Sequence, residues 1–394
     1  MELPKTYNGL RPPIELPEFP VSKYWDVADL FQTPQYQSAE HFDESYCDSL
    51  ESILYEGMLI DGVRKPVFAY IGYPDGPVPP GGFPGVVLVH GGGGTAYPSY
   101  VKLWNSRGYV AIAMDLYNSR PRAADPSRDR ILLYGSNRPE FGPNPDQVHK
   151  NIGDIVRAHS LLLSLPNVNP ALTGAIGISW GSVFSSVVAC IDDRLKFVLP
   201  VYGHGFFGEG DGSSSFCKWS GISWDPGHYL AAAKVPLYWF AGTNDLNFLI
   251  PAMQRSWDTA PTTANRTLII NLPHSHVGYQ LSPTFRIVDA VLRGSTPLPV
   301  LGQAMVREGD VLAAPVEGVG KGIKLAQLCF TTDDGPLCKR PWKTTAATVR
   351  NGEIAAVLPE GTVMAYLAAF DEQDADGKWF CAGTSNVVVV KSKF

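Results

Sequence analysis

Gly177-Ile178-Ser179-Trp180-Gly181 constrains this chain more than any other stretch. It has the G-x-S-x-G form, in which a strand turns sharply into a helix and leaves the serine hydroxyl exposed at the tip. The two glycines are needed because the turn crowds the backbone, and side chains there would clash. Thr173–Ile178 reads as a short buried strand, and Ser182–Cys190 is a compact apolar run that suits a helix packed under a sheet. Strand, elbow and helix therefore come in the order the motif requires. The plain alternative is a Gly-Ser loop with no chemistry.

A second feature is Val86-Val87-Leu88-Val89 running into His90-Gly91-Gly92-Gly93-Gly94. Four consecutive glycines let backbone N–H groups face a ligand with no side chains in the way. This is the HGGG-type loop that supplies oxyanion donors beside such an elbow. The expected donors are Gly92, Gly93 and Trp180, the residue after the serine. A phosphate-binding loop is the rival, but no G-K-[ST] follows. His90 sits at the strand end and is expected to hydrogen-bond within the loop rather than react.

Two further strand ends carry the remaining chemistry. Val235–Gly242 reads as a buried strand followed by Thr243-Asn244-Asp245, and Thr267–Leu272 as the next, followed by Pro273-His274-Ser275-His276. A serine is a poor nucleophile until an imidazole takes its proton, and a carboxylate fixes the imidazole tautomer. Ser179, Asp245 and His276 supply these parts in the chain order serine, aspartate, histidine. Both His274 and His276 lie on the loop where the base belongs. The longer reach past Pro273 favours His276, which leaves His274 to line the pocket. A zinc reading of the His-x-His pair finds no cysteine or acidic partner at zinc-like spacing, so neither metal nor organic cofactor is expected.

Composition narrows the partners. The 394 residues are 45% hydrophobic, with a net charge of −6 and no basic run. Nucleic acid and anionic membranes are therefore poor candidates, and no apolar stretch approaches a membrane span. The first residues lack a basic segment followed by an apolar core, so a cytoplasmic location is expected unless a signal was removed. The six cysteines form no C-x-x-C. Cys190 reads as a core residue, while two of Cys329, Cys338 and Cys381 could bridge strands.

Residues 1–60 are irregular but rich in Pro, Tyr, Phe and Trp, which suits an ordered extension packed on a core. Over 61–296 strands and helices alternate, interrupted by a long polar insertion at 118–145. Alternation implies a doubly wound, mostly parallel sheet, whose ligand site lies beyond the carboxyl ends of its strands. His90, Asp115, Ser179, Tyr202, Asp245 and His276 all fall at such ends. Beyond residue 297, short strand-like runs such as Ala326–Phe330, Ile354–Leu358 and Val363–Phe370 predict a small β-sandwich. Trp219 and Trp224, in the Gly-Ser-rich stretch after Tyr202, are either sugar-stacking faces or anchors for that loop.

The stretches His90-Gly91-Gly92-Gly93-Gly94, Arg107–Asp115, Gly177–Ser182, Val201-Tyr202-Gly203, Gly242–Asp245 and Pro273–His276 together resemble the acetylxylan-esterase-like, dienelactone-hydrolase-like branch of the α/β-hydrolases. The resemblance implies a serine carboxylic-ester hydrolase acting on a small-molecule or carbohydrate ester. It departs from the family pattern at Ser182, where glycine is usual, and at Val277-Gly278-Tyr279. A peptidase of the same fold and a non-enzymatic binding protein using the β domain are the competing readings.

Overall fold

Phe83–Val89 and Val110–Met114 are almost wholly apolar, and strands of that kind are stable only when both faces are covered. In the computed structural model both are buried along their whole length. The structure describes residues 10–41, 49–122, 130–134, 145–373, 376–380 and 383–390. They divide into two units that are not consecutive in sequence. One holds residues 18–203 and 222–236. The other holds 204–221 and 237 onward, with the chain up to Pro17.

In the first unit the strands are β1 (Tyr36–Ser38), β2 (Leu50–Ile60), β3 (Val63–Gly72), β4 (Phe83–Val89), β5 (Val110–Met114), β6 (Ser119–Pro121), β7 (Arg130–Leu132), β8 (Val168–Ile178) and β9 (Val198–Val201). The helices are α1 (Val27–Leu30), α2 (Pro98–Ser106), α3 (Pro145–Ser164) and α4 (Trp180–Ile191). The sheet order is β1-β2-β3-β5-β4-β8-β9. β5, β4, β8 and β9 are parallel, and β1 to β3 form an antiparallel flank. α2 packs on β3 and β5, α3 on β2, β4 and β8, and α4 on β8 and β9. β6 and β7 pair within the polar insertion, most of which lies outside the described residues.

Anchoring aromatics were expected in the N-terminal extension. Trp25 is buried and donates its indole N–H to the His149 carbonyl at 2.8 Å, and Phe19 stacks on His228 at 4.2 Å. The extension is not irregular to residue 60, however. Leu50–Ile60 is a sheet strand paired with β3. Glu51, Ser52 and Glu56 interrupt its apolar pattern and hide it in the sequence.

The second unit begins its regular structure with β10 (Leu237–Asn244), α5 (Ile250–Thr259), β11 (Thr263–Pro273) and α6 (Ser282–Arg293). β10 and β11 are parallel, with α5 as their crossover. α6 stops at Gly294, whose φ of 66° is the left-handed conformation that ends helices. Ten residues from two antiparallel sheets, with Ala304 and Leu358 beside them, then form one apolar core, among them Leu312 and Ile354 from one sheet and Leu328, Phe330 and Leu367 from the other. The first sheet contains β12 (Val300–Leu301), β13 (Met305–Arg307), β14 (Val311–Gly318), β17 (Thr348–Arg350) and β18 (Glu353–Val357). The second contains β15 (Leu325–Thr331), β16 (Lys343–Ala346), β19 (Met364–Phe370), β20 (Gly383–Thr384) and β21 (Val388–Val389). The class is thus α/β with a C-terminal β-sandwich, as the alternation and the later short strands imply. Cys329 and Cys338 carry free thiols, so they are not bridged to each other; Cys381 lies outside the described residues.

Candidate active site

Ser179 stands between β8 and α4 with φ 56° and ψ −120°, a conformation that residues with a Cβ seldom adopt. Its neighbours enforce it. The Ser179 N–H donates to the Val201 carbonyl at 2.9 Å, and its own carbonyl accepts from the N–H groups of Ser182 and Val183 at 2.9 and 3.2 Å. The flanking glycines permit the close approach. A Cβ on Gly177 would lie 2.2 Å from the Gly181 carbonyl oxygen, and one on Gly181 would lie 2.2 Å from that of Val89. Both obstacles are backbone. Gly181→Ala is therefore expected to cost at least about 1–3 kcal/mol, the usual range for overpacking, measured as a lowered urea midpoint. An unchanged midpoint would contradict this packing.

Ser182, the departure from the usual glycine, has a structural task. Its hydroxyl reaches the carbonyls of both Ser179 and Val201, at 2.7 and 2.8 Å, and ties the elbow to the end of β9. Gly203 makes room for it, since a Cβ there would sit 2.2 Å from the Ser182 oxygen.

The glycine loop lies against the elbow. A Cβ on Gly91 would meet the Ser179 Cβ at 2.9 Å. The loop closes through Gly94 N–H to the Gly91 carbonyl at 3.0 Å. His90 braces it from beneath. The Leu116 N–H donates to His90 Nε2 at 3.0 Å, so Nδ1 carries the hydrogen and donates to the Gly91 carbonyl at 2.7 Å. Asp115 holds the adjoining turn by accepting from Thr95 and Ser119 hydroxyls and from the N–H of Tyr117 at 2.8 Å. Among the expected oxyanion donors, Gly93 directs its N–H to the Tyr117 hydroxyl at 3.2 Å, while Gly92 is exposed. Trp180 is the first residue of α4, directly after Ser179. Tyr117 had no signal in the sequence beyond its place two residues after Asp115.

In the second unit, Asp245 follows the end of β10 and is 1% exposed. One carboxylate oxygen accepts from the N–H groups of Asn247 and Phe248 at 2.7 and 2.9 Å. The other accepts from Nδ1 of His274 at 2.7 Å. The sequence reading gave this place to His276, and the register explains the difference. Gly242 pairs with Ile269 but Asn244 pairs with Pro273, so β11 carries two extra residues in a bulge. Asn271, with φ 54°, sits in that bulge. The slip brings the next residues of both strands, Asp245 and His274, side by side. His276 instead starts a 3-10 turn, His276–Gln280. Partial desolvation, and then the neighbouring His274, hold its pKa below the usual 6.5. Because Asp245 is an acceptor, His274 keeps its hydrogen on Nδ1 and has its lone pair on Nε2.

An aromatic cluster stands behind His274. Phe248 lies tilted 5.7 Å from its ring centroid, Phe216 meets Phe248 edge-on at 4.9 Å, and Trp219 stacks on Phe216 at 5.1 Å. His204 packs edge-on to Phe248, and burial lowers its pKa to about 3, so it stays neutral. Trp219 is 7% exposed, Trp224 1% and Tyr202 0%. None of the three offers an open face to a sugar. Trp224 packs against Trp180 at 5.2 Å, and Tyr202 holds a left-handed φ of 57° just after β9. These side chains act as packing anchors. Among the described residues, no three His, Cys, Asp or Glu side chains are grouped so as to hold a metal ion.

An acetyl xylan esterase from Paenibacillus sp. R4 shares the fold with a TM-score of 0.55 and 17% identity, over 71% of this chain and 97% of that one. Acetyl xylan esterase 1 from Thermoanaerobacterium sp. JW/SL YS485 gives 0.46 and 12%, over 67% and 90%. A putative dienelactone hydrolase from Klebsiella pneumoniae subsp. pneumoniae MGH 78578 gives 0.41 and 16%, over 60% and 96%. No curated protein matches the sequence. The model of the dienelactone hydrolase family matches residues 67–270, over half of the chain, a span that includes the glycine loop, the elbow and Asp245. The chain belongs to the dienelactone hydrolase family, a branch of the α/β-hydrolases.

Proposed function

We propose that this protein is a serine carboxylic-ester hydrolase that works through an acyl-enzyme, with acetylated carbohydrate as its substrate class. The observation that carries the reading is the strained backbone of Ser179, which presents its hydroxyl at the head of a helix and against a glycine loop. In this account Ser179 attacks the ester carbonyl. His274 takes its proton at Nε2 and returns it to the leaving alcohol. Asp245 holds the imidazole through Nδ1 and stabilises the imidazolium as it forms. Amides of the glycine loop and of Trp180 receive the oxyanion, each donor being worth about 2.7–4 kcal/mol in the transition state. Water then repeats the attack on the acyl-enzyme.

Asp245→Asn tests the middle of this chain of roles. An amide keeps the position but favours the wrong tautomer, and the same change in another serine hydrolase costs about 10⁴ in kcat. A rate within tenfold of the native one would place the acid elsewhere. The substrate class is tested by a panel of acetylated xylan, other acetylated sugars, feruloyl esters, short aryl esters and an aminoacyl anilide. Preference for the acetylated sugars supports the proposal. Preference for the anilide would favour the peptidase reading, since ester and amide cleavage share a tetrahedral intermediate.

A further inference from the structure

The C-terminal sandwich covers β11 through side chains that reach its backbone. Tyr366 donates to the Leu268 carbonyl at 3.1 Å, Thr384 to that of Arg266 at 3.2 Å, and Asn265 on β11 reaches the Pro299 carbonyl at 3.2 Å. The seam is not closed along its whole length. Between β11 with its following turn and the sheet of β15 and β19 lies a cavity of about 460 Å³. This is within the roughly 300–1,000 Å³ range of small-molecule sites.

Its chemistry is specific. Ile269, Leu272 and Val277, from β11 and the turn after it, and Leu325, from β15, give it an aliphatic lining. Phe370 and Trp379 meet edge to face, with centroids 6.4 Å apart at 76°, and Phe380 lines the same end. Flat apolar surfaces of this kind receive an aromatic ring. Lys378 is exposed, with Nζ 5.3 Å from the Phe380 centroid, which places its ammonium at the aromatic end. Among the described lining residues it is the only charged one. Asn271 has both amide atoms on the Trp342 backbone and is already committed. Cys329 lines the floor, but burial pushes its thiol up to about 12, so it stays a neutral, unreactive wall.

We infer that this cavity is a binding site for a small aromatic anion, a ring system carrying a carboxylate or sulfonate. The ring lies between the aliphatic wall and the Phe370–Trp379 pair, and the anion faces Lys378.

The probe is 8-anilinonaphthalene-1-sulfonate, with uncharged N-phenyl-1-naphthylamine as its control, titrated into the folded full-length chain. The native protein should bind one equivalent of the sulfonate saturably. Leu325→Trp fills the cavity from one side and Val277→Trp, at an exposed position, from the other. Each should weaken both probes at least tenfold, and if one variant fails to fold the other decides. Lys378→Gln should weaken the sulfonate about two- to fivefold, the scale of an exposed ion pair, and leave the uncharged probe unchanged. Non-saturable binding, or binding that survives the tryptophan variants, would overturn the site. An equal effect of Lys378→Gln on both probes, or none on the sulfonate, would overturn its preference for an anion. Ser179→Ala should bind both probes like the native chain, so this outcome and that of the hydrolase reading are read independently.

Discussion

Ser179→Ala is expected to lower ester turnover by several orders of magnitude, to the residual level that oxyanion donors and binding alone provide. Removal of the nucleophile in a comparable hydrolase costs about 2 × 10⁶ in kcat. The fold should survive, because the change removes one hydroxyl at a half-exposed elbow and leaves the backbone as it was. Its stability should therefore stay within about 1 kcal/mol of the native value. Ser179→Gly separates strain from chemistry. With no Cβ, glycine adopts φ 56° and ψ −120° at less cost, and strain of this kind is worth about 1–3 kcal/mol. Part of that gain is offset by the greater freedom of glycine in the unfolded chain. Ser179→Gly should thus be as dead as Ser179→Ala and no less stable. Urea midpoints and initial rates on one aryl acetate measure both properties. Near-native turnover in either variant would remove Ser179 from the mechanism.

The second large effect falls on the histidines. His274→Ala should be as inactive as Ser179→Ala, since nucleophile and base act as one unit. It also strips Asp245 of the partner on one of its two oxygens. His276→Ala should retain at least a tenth of the native rate, because its ring starts the turn beyond the base and does not hold the acid. The reverse pattern, a dead His276→Ala beside an active His274→Ala, would return the base to the later histidine.

That choice shows where the sequence stops being sufficient. The strand ends bearing Ser179, Asp245 and the histidine loop are legible from runs of β-branched residues, and so is the elbow from its two glycines. What puts His274 rather than His276 beside Asp245 is a two-residue bulge in β11, with Asn271 in a left-handed conformation. Asparagine tolerates that conformation, so Asn271 shortly before Pro273 was a signal, but it does not say which partner residue the slip would meet. Long-range register decides that. β14 is hidden for a similar reason, since Ala313, Ala314 and Pro315 have low strand propensity and are held by pairing with β18. Trp219 and Trp224 carry no mark in the sequence that distinguishes a stacking platform from an anchor. Their burial does.

The most direct test of the account is covalent capture of the nucleophile. The full-length protein is treated with a fluorophosphonate, and the adduct is located by intact mass and peptide mapping. The account predicts one adduct per chain on the peptide carrying Ser179, loss of esterase activity in proportion to labelling, and no adduct in Ser179→Ala. An enzyme that hydrolyses esters yet takes no label, or takes it on another residue, would contradict it.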